Sequence, residues 1–199
     1  MFIFLIGCKN SNQKIQSIDN ENFDTTSILN NNELKTNIRK KYKFDNSVIP
    51  ENLIEFYKSM DTTFRLPTLG DYDDYYFTGY YDKKLPYFCS GFFNNDTILD
   101  YGLVLIRDTI EQLIYSFHAD NDKFSPYLIN KRELIDSENN DFKVVVFNIH
   151  TVTNKSLEAI DTTYNIKFDA ISVSDIYESS EYVSVWDENK DTYTSLWFN

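Results

Sequence analysis

The sequence predicts an α+β fold that is mainly β: an antiparallel meander forming a curved sheet or sandwich, with one N-terminal helix packed on it. Three observations lead there. The chain carries 15 Tyr and 16 Phe against 5 Gly and 4 Pro, and aromatic side chains suit pleated, half-buried surfaces better than helices. From residue 86 onward, short apolar runs alternate with polar, turn-forming clusters, as strands joined by hairpins do. Helical periodicity, by contrast, is convincing in one place. Leu53, Ile54, Phe56, Tyr57 and Met60 share a face behind Pro50, which suits a first helical turn.

Taken in order, the helix should close near Met60-Asp61, and Phe64-Arg65-Leu66 should leave it extended because Leu66 precedes Pro67. Residues 70 to 88, GDYDDYYFTGYYDKKLPYF, read as a Tyr-rich strand pair with acidic turns. The central feature is 86 to 107, PYFCSGFFNNDTILDYGLVLIR, in which two apolar strands flank the turn-forming Asn94-Asn95-Asp96-Thr97. A second hairpin follows, with 103–107 and 112–118 on either side of Asp108-Thr109-Ile110-Glu111. Short strands are expected at 126–129, 142–148, 166–168, 170–173, 182–186 and 193–198, with single helical turns over 131–137 and 154–160.

Charge is unevenly placed. Residues 1 to 49 hold 7 Lys/Arg and 5 Asp/Glu, a net +2, so residues 50 to 199 hold 12 and 26, a net -14. Such a body repels a polyanionic backbone, and no nucleic-acid partner is expected. Of the two cysteines, Cys89 sits in an apolar strand beside Phe88 and reads as a small buried hydrophobe.

The extreme N-terminus, MFIFLIGC, is an apolar run ending Leu5-Ile6-Gly7-Cys8. It resembles the lipobox of bacterial lipoproteins. That resemblance implies cleavage before Cys8, diacylglycerol on its thiol and acylation, palmitate for example, of the new amino end. A secretory signal usually has a positive start and about 7–15 apolar residues, whereas seven residues precede Cys8 and none is Lys or Arg. The run is also shorter than the roughly 20 residues of a membrane-spanning helix. Residues 9–47 hold nine Asn and neither Gly nor Pro, too little apolar area to offset ordering entropy. The expected organisation is a truncated-looking signal over 1–8, an Asn-rich disordered tether over 9–47 and one globular domain over 48–199. A short helix over 33–43 would carry the basic cluster Arg39-Lys40-Lys41-Lys43.

Gly91-Phe92-Phe93-Asn94-Asn95-Asp96-Thr97-Ile98-Leu99-Asp100-Tyr101 resembles a degenerate form of the calcium loop of FG-GAP and VCBS-type repeats. The resemblance implies a calcium ion held by Asn94, Asp96 and Asp100 with the Ile98 carbonyl. The first acidic ligand is replaced by Phe92, and the flexible glycine positions by Asn95 and Thr97. The loop occurs once, so a propeller of repeated blades is not implied. Asp100 to Leu105, Asp169-Ala170-Ile171, Glu178-Ser179-Ser180, Trp186 and Trp197 are also similar to a pattern in a group of bacterial secreted proteins and lipoproteins that brings no activity with it.

Catalytic signatures are thin. The chain has no G-x-S-x-G elbow, no Gly-rich phosphate loop and no H-E-x-x-H, and its two histidines are His118 and His150. A general base built from His118 with Asp120 or Asp122 lacks an evident nucleophile, and Asp169 with Glu178 are the candidate carboxylate pair for a glycosidase. The expected role is a non-enzymatic protein of the cell envelope, lipid-anchored on the periplasmic or surface face. Its acidic, Tyr-rich stretch Asp71, Tyr72, Asp73, Asp74 and Tyr75 would meet a protein or glycan, since tyrosine offers large area with a polar tip. Alternatives are an acidic immunity or inhibitor protein directed at a basic toxin, and an envelope hydrolase. No cofactor is expected beyond the calcium that the loop implies.

Overall fold

The computed structural model describes residues 42–79, 85–121, 123–137, 143–153, 156–159 and 162–198. The expected signal, residues 9–41 of the expected tether and all but the last two residues of the expected 33–43 helix lie outside these; Tyr42 and Lys43 are not helical. The last six tether residues are ordered, with Tyr42 and Phe44 packed against the core and Asn46 opening a 3-10 turn, Asn46–Val48. Among the described residues the fold is mainly β, built from antiparallel sheets in a meander-like order with two short helices near the N-terminal side.

Helix α1, Glu51–Met60, forms where the periodicity placed it, with Pro50 preceding it, Glu51 in its first turn and Leu53 and Tyr57 buried. Phe56 lies 5.4 Å from the Phe124 ring and 6.1 Å from that of Phe117, which docks the helix on the first sheet. The extended segment after it pairs with that sheet, Arg65 exchanging backbone bonds of 3.0 and 2.9 Å with Ile106.

Of the strand pair expected over 70–88, no described residue before Phe88 forms a strand, and 80–84 lie outside the described residues. Leu69–Asp71 make a 3-10 turn capped reciprocally by Thr68 and Asp71, and α2 spans Asp74–Gly79. Two local interactions overrule the β preference of tyrosine. The Asp73 carboxylate accepts from the Tyr75 N–H at 3.1 Å, as an N-terminal cap does. Tyr72 and Tyr76, four residues apart, put their rings 4.8 Å from each other inside the core.

The first sheet has the order β1-β2-β3-β4, from Phe88–Gly91, Asp100–Arg107, Glu111–Asp120 and Lys123–Glu133. The second has the order β12-β11-β10-β7, from Thr192–Phe198, Ser180–Asp187, Ala170–Asp175 and Phe147–Val152. Strands β5 (Ile135–Asp136) and β6 (Lys143–Val144) form one small pair, and β8 (Ser156–Ala159) and β9 (Thr162–Asn165) another. Several expectations shift accordingly. The 131–137 turn belongs to β4 and β5, the 154–160 turn contains β8, and 166–168 is a loop. In the first two cases pairing with a neighbouring strand supplies the backbone bonds that an isolated helical turn would leave open.

Most residues of β2 and β3 are buried, because both faces of the first sheet are covered. Alternation divides the work. Tyr115 and Phe117 face the helical layer through Phe64 and Phe56, while Gln112, Ser116 and His118 face the second sheet. A bulge between β3 and β4 sets Leu128 opposite Tyr115 and Asn130 opposite Ile114. The extra residue changes the parity of β4, so Tyr127 on one side of the bulge and Asn130 and Arg132 on the other all point at the second sheet. There Asn130 donates to Tyr182 Oη at 2.7 Å and Arg132 pairs with Asp175. The sheets are also tied at the β1 and β7 side, where the Ile149 N–H reaches the Pro86 carbonyl at 2.8 Å. The product is a three-layer stack of helices, first sheet and second sheet.

Candidate functional site

Where β1 and β2 join, the β3–β4 turn and the β11–β12 turn come together at one end of the stack and leave a cleft of about 410 Å³. Its floor is aromatic. His118 of β3 lies 4.5 Å from the Tyr127 ring of β4 and 4.5 Å from Trp186 of β11; Tyr127 and Trp186 are 4.8 Å apart. Tyr193, directly across from Trp186 in the β11–β12 ladder, supports the group from below at 5.3 Å.

The rim is acidic. Asp96 from the β1–β2 loop, Asp120 from the end of β3 and Asp191 from the β11–β12 turn line the opening with Asn94, Asn95 and Ser125. Among the described residues no Lys or Arg lines it, and none of these three aspartates takes part in an ion pair. Lys190, the neighbour of Asp191, bonds Asp187 at 2.8 Å instead. Asp191 sits at φ 53°, so the tight turn itself fixes its place.

His118 is 7% exposed. Its Nε2 is 2.8 Å from Tyr193 Oη, which is 2.7 Å from Ser116 Oγ. Burial pulls its pKa down to about 4 although Asp96 and Asp191 act in the other direction. The imidazole is therefore uncharged near neutral pH and leaves the three carboxylates uncompensated. The unfolded chain takes up a proton at His118 below its ordinary value of 6.5, whereas the folded chain does not until about 4, so stability is lost as pH falls through that window. His118→Phe should remove this loss, so that its thermal midpoint gains on that of the wild type as pH falls from 7 to 4. A variant curve parallel to that of the wild type would contradict the assignment.

The structure gives each site residue expected from sequence a definite place. Asn94 accepts from the Asp96 N–H at 2.9 Å, and Asp96 accepts from the Ile98 N–H at 2.8 Å. Asp100 turns inward and is fully buried; one carboxylate oxygen accepts from Phe93 N–H at 3.1 Å and the other from Ala119 N–H at 2.9 Å. Burial pushes its pKa up to about 7 despite these donors. This donor set does not fit the calcium that the loop resemblance implies. A calcium ion takes about 6–8 oxygens, yet Asp100 is committed to two backbone segments, and among the described residues no three His, Cys, Asp or Glu converge on one point.

The Tyr-rich stretch does not present one open face. Tyr72 and Asp73 are buried, with Asp73 receiving a bond from Ser137; Asp71 holds Arg65 at 2.6 Å; Asp74 opens α2; Tyr75 is the exposed member. Asp169 and Glu178 stand at opposite ends of β10, one at Phe92 and the other at Arg132. Six strand residues at about 3.3 Å each separate them by roughly 20 Å, against the 9.5 Å upper limit for a glycosidase pair. Asp120 Oδ1 accepts from the Asn121 side chain at 2.9 Å, and Asp122 lies outside the described residues. Cys8 lies outside them too.

Tyr127, Tyr193 and Asp191 are cleft residues that sequence reasoning passed over. They are scattered along the chain and meet only through the β-ladders, so the one available signal was an aromatic residue at alternate strand positions. A second cavity, of about 270 Å³, is bordered by Tyr164, Ile166, Phe168, Val185 and the other side of Trp186, beside the Lys167–Glu188 ion pair. Comparison with protein families, characterised proteins and solved structures finds no match. The class defined by fold and site is thus a mainly-β sandwich with helices on one sheet and an acidic, aromatic-floored cleft at one end.

Proposed function

We propose that this protein is a non-enzymatic binding protein of the cell envelope, held to a membrane by lipid on Cys8. One observation carries the binding reading: His118, Tyr127 and Trp186 form a ring-lined floor beneath three carboxylates that make no ion pair among the described residues. Aromatic area with a few polar groups is what recognition surfaces use. The anchor rests on Leu5-Ile6-Gly7-Cys8 alone. Among the described residues no helix is long and apolar enough to cross a membrane.

Fractionation tests the anchor. Cys8→Ser should move the protein from the membrane pellet to the soluble fraction and abolish incorporation of labelled palmitate; unchanged pelleting with no label in either form would sink the tether. The same cleft favours a second reading, an immunity or inhibitor protein directed at a basic toxin. Its support is the unpaired charge of Asp96, Asp120 and Asp191 on a body whose residues 50 to 199 carry a net -14. The hydrolase reading gains less, because Ser116, the hydroxyl linked to His118 through Tyr193, is fully buried.

A further inference from the structure

We infer that the cleft captures the guanidinium of an arginine side chain presented by a basic polypeptide; this rests on the binding reading above and specifies its ligand. The rings supply the first argument. A guanidinium is flat, weakly hydrated and stacks on aromatic faces, and an indole gives the strongest attraction to a cation. Trp186 and Tyr127, both part-exposed, offer such surfaces at the floor.

The carboxylates supply the second. Asp96, Asp120 and Asp191 come from three different connections around the opening, so they surround a guest of several ångströms rather than converge on a point. That spacing suits the fork of a guanidinium, whose five N–H groups diverge, better than a bare metal ion.

The third is His118, whose ring is more than nine-tenths buried and borders the cleft. Nε2 is engaged by Tyr193, and among the described residues Nδ1 has no hydrogen-bond partner. When Nε2 donates to Tyr193 Oη, Nδ1 presents a lone pair that accepts an N–H of the guest. Lysine fits less well, because an ammonium is a compact, strongly hydrated point charge that gains little from stacking.

The test uses full-length protein and nona-arginine, with nona-lysine for comparison, followed by tryptophan fluorescence and calorimetry. Nona-arginine should bind at least tenfold more tightly than nona-lysine. Asp96→Asn combined with Asp191→Asn should weaken nona-arginine at least tenfold, and Trp186→Phe should weaken it severalfold and remove most of the fluorescence change. The control is Asp108→Asn with Asp136→Asn, which alters net charge equally at the other end of the first sheet and should stay within twofold of wild type. Thermal midpoints confirm that each variant is folded. Equal loss in the control pair, equal affinity for the two peptides, or no binding of nona-arginine would overturn the inference. The Cys8→Ser fractionation reads the anchor independently, so a failed titration with an intact membrane shift rejects the guest and keeps the tether.

Discussion

Replacing Asp100 by alanine should lower the free energy of unfolding by about 2–5 kcal/mol, since each buried N–H left without an acceptor costs about 1–3 kcal/mol. Two such groups are at stake, Phe93 in the β1–β2 loop and Ala119 in β3. Asp100→Asn keeps one acceptor oxygen and should lose roughly half as much, within the same range for one unpaired group. Urea denaturation measures both; an alanine variant within 0.5 kcal/mol of wild type, as for an ordinary surface substitution of about that size, would show that the clamp is idle. The two buried titrating groups of this corner also work against each other. Asp100 is pushed up from 3.8 to about 7, so its protonated form stabilises the fold at low pH and that contribution is lost as pH rises through this window. His118 acts oppositely between 4 and 6.5. Asp100→Asn should therefore make the thermal midpoint climb with pH between 4 and 6.5, and His118→Phe should make it fall.

Gly102→Val should be the other severe change, costing about 3 kcal/mol or more by overpacking. A Cβ at position 102 would stand 2.6 Å from the Cys89 sulfur, 3.1 Å from Ile171 Cδ1 and 3.5 Å from Ile149 Cδ1. Gly102 faces Cys89 across the β1–β2 ladder and meets the second sheet at the same point, so the side chain has nowhere to turn. Cys89→Ala should partly rescue Gly102→Ala, and a double-mutant cycle should report non-additivity of about 1 kcal/mol, within the range for residues in contact. Strict additivity would mean that the sheets separate freely at this corner.

The strands were legible because their signal is local. Phe88–Gly91, Asp100–Arg107 and Glu111–Asp120 alternate or run apolar between polar turns, and α1 announces itself through Leu53, Phe56, Tyr57 and Met60. Local capping by Asp73 and the i,i+4 pairing of Tyr72 with Tyr76 were the evidence against a strand at 70–79, and composition outweighed it in the reading. The cleft was only partly legible. Asp96 and His118 drew attention for calcium and acid–base chemistry. Their meeting with Tyr127, Trp186 and Asp191 depends on which sheet ends face each other, and on a single bulged residue in β4. Periodicity contains neither.

Cys89 carries a consequence for where such a chain can travel. Its thiol is buried against Gly102, and burial raises its pKa to about 12, leaving almost no thiolate to attack a disulfide or an oxidant. Were Cys8 acylated, the folded body would meet an oxidising compartment with no sulfur available for exchange. Export would then ask nothing of the machinery that sorts disulfides, because the sheet interface keeps its one thiol reduced and out of reach.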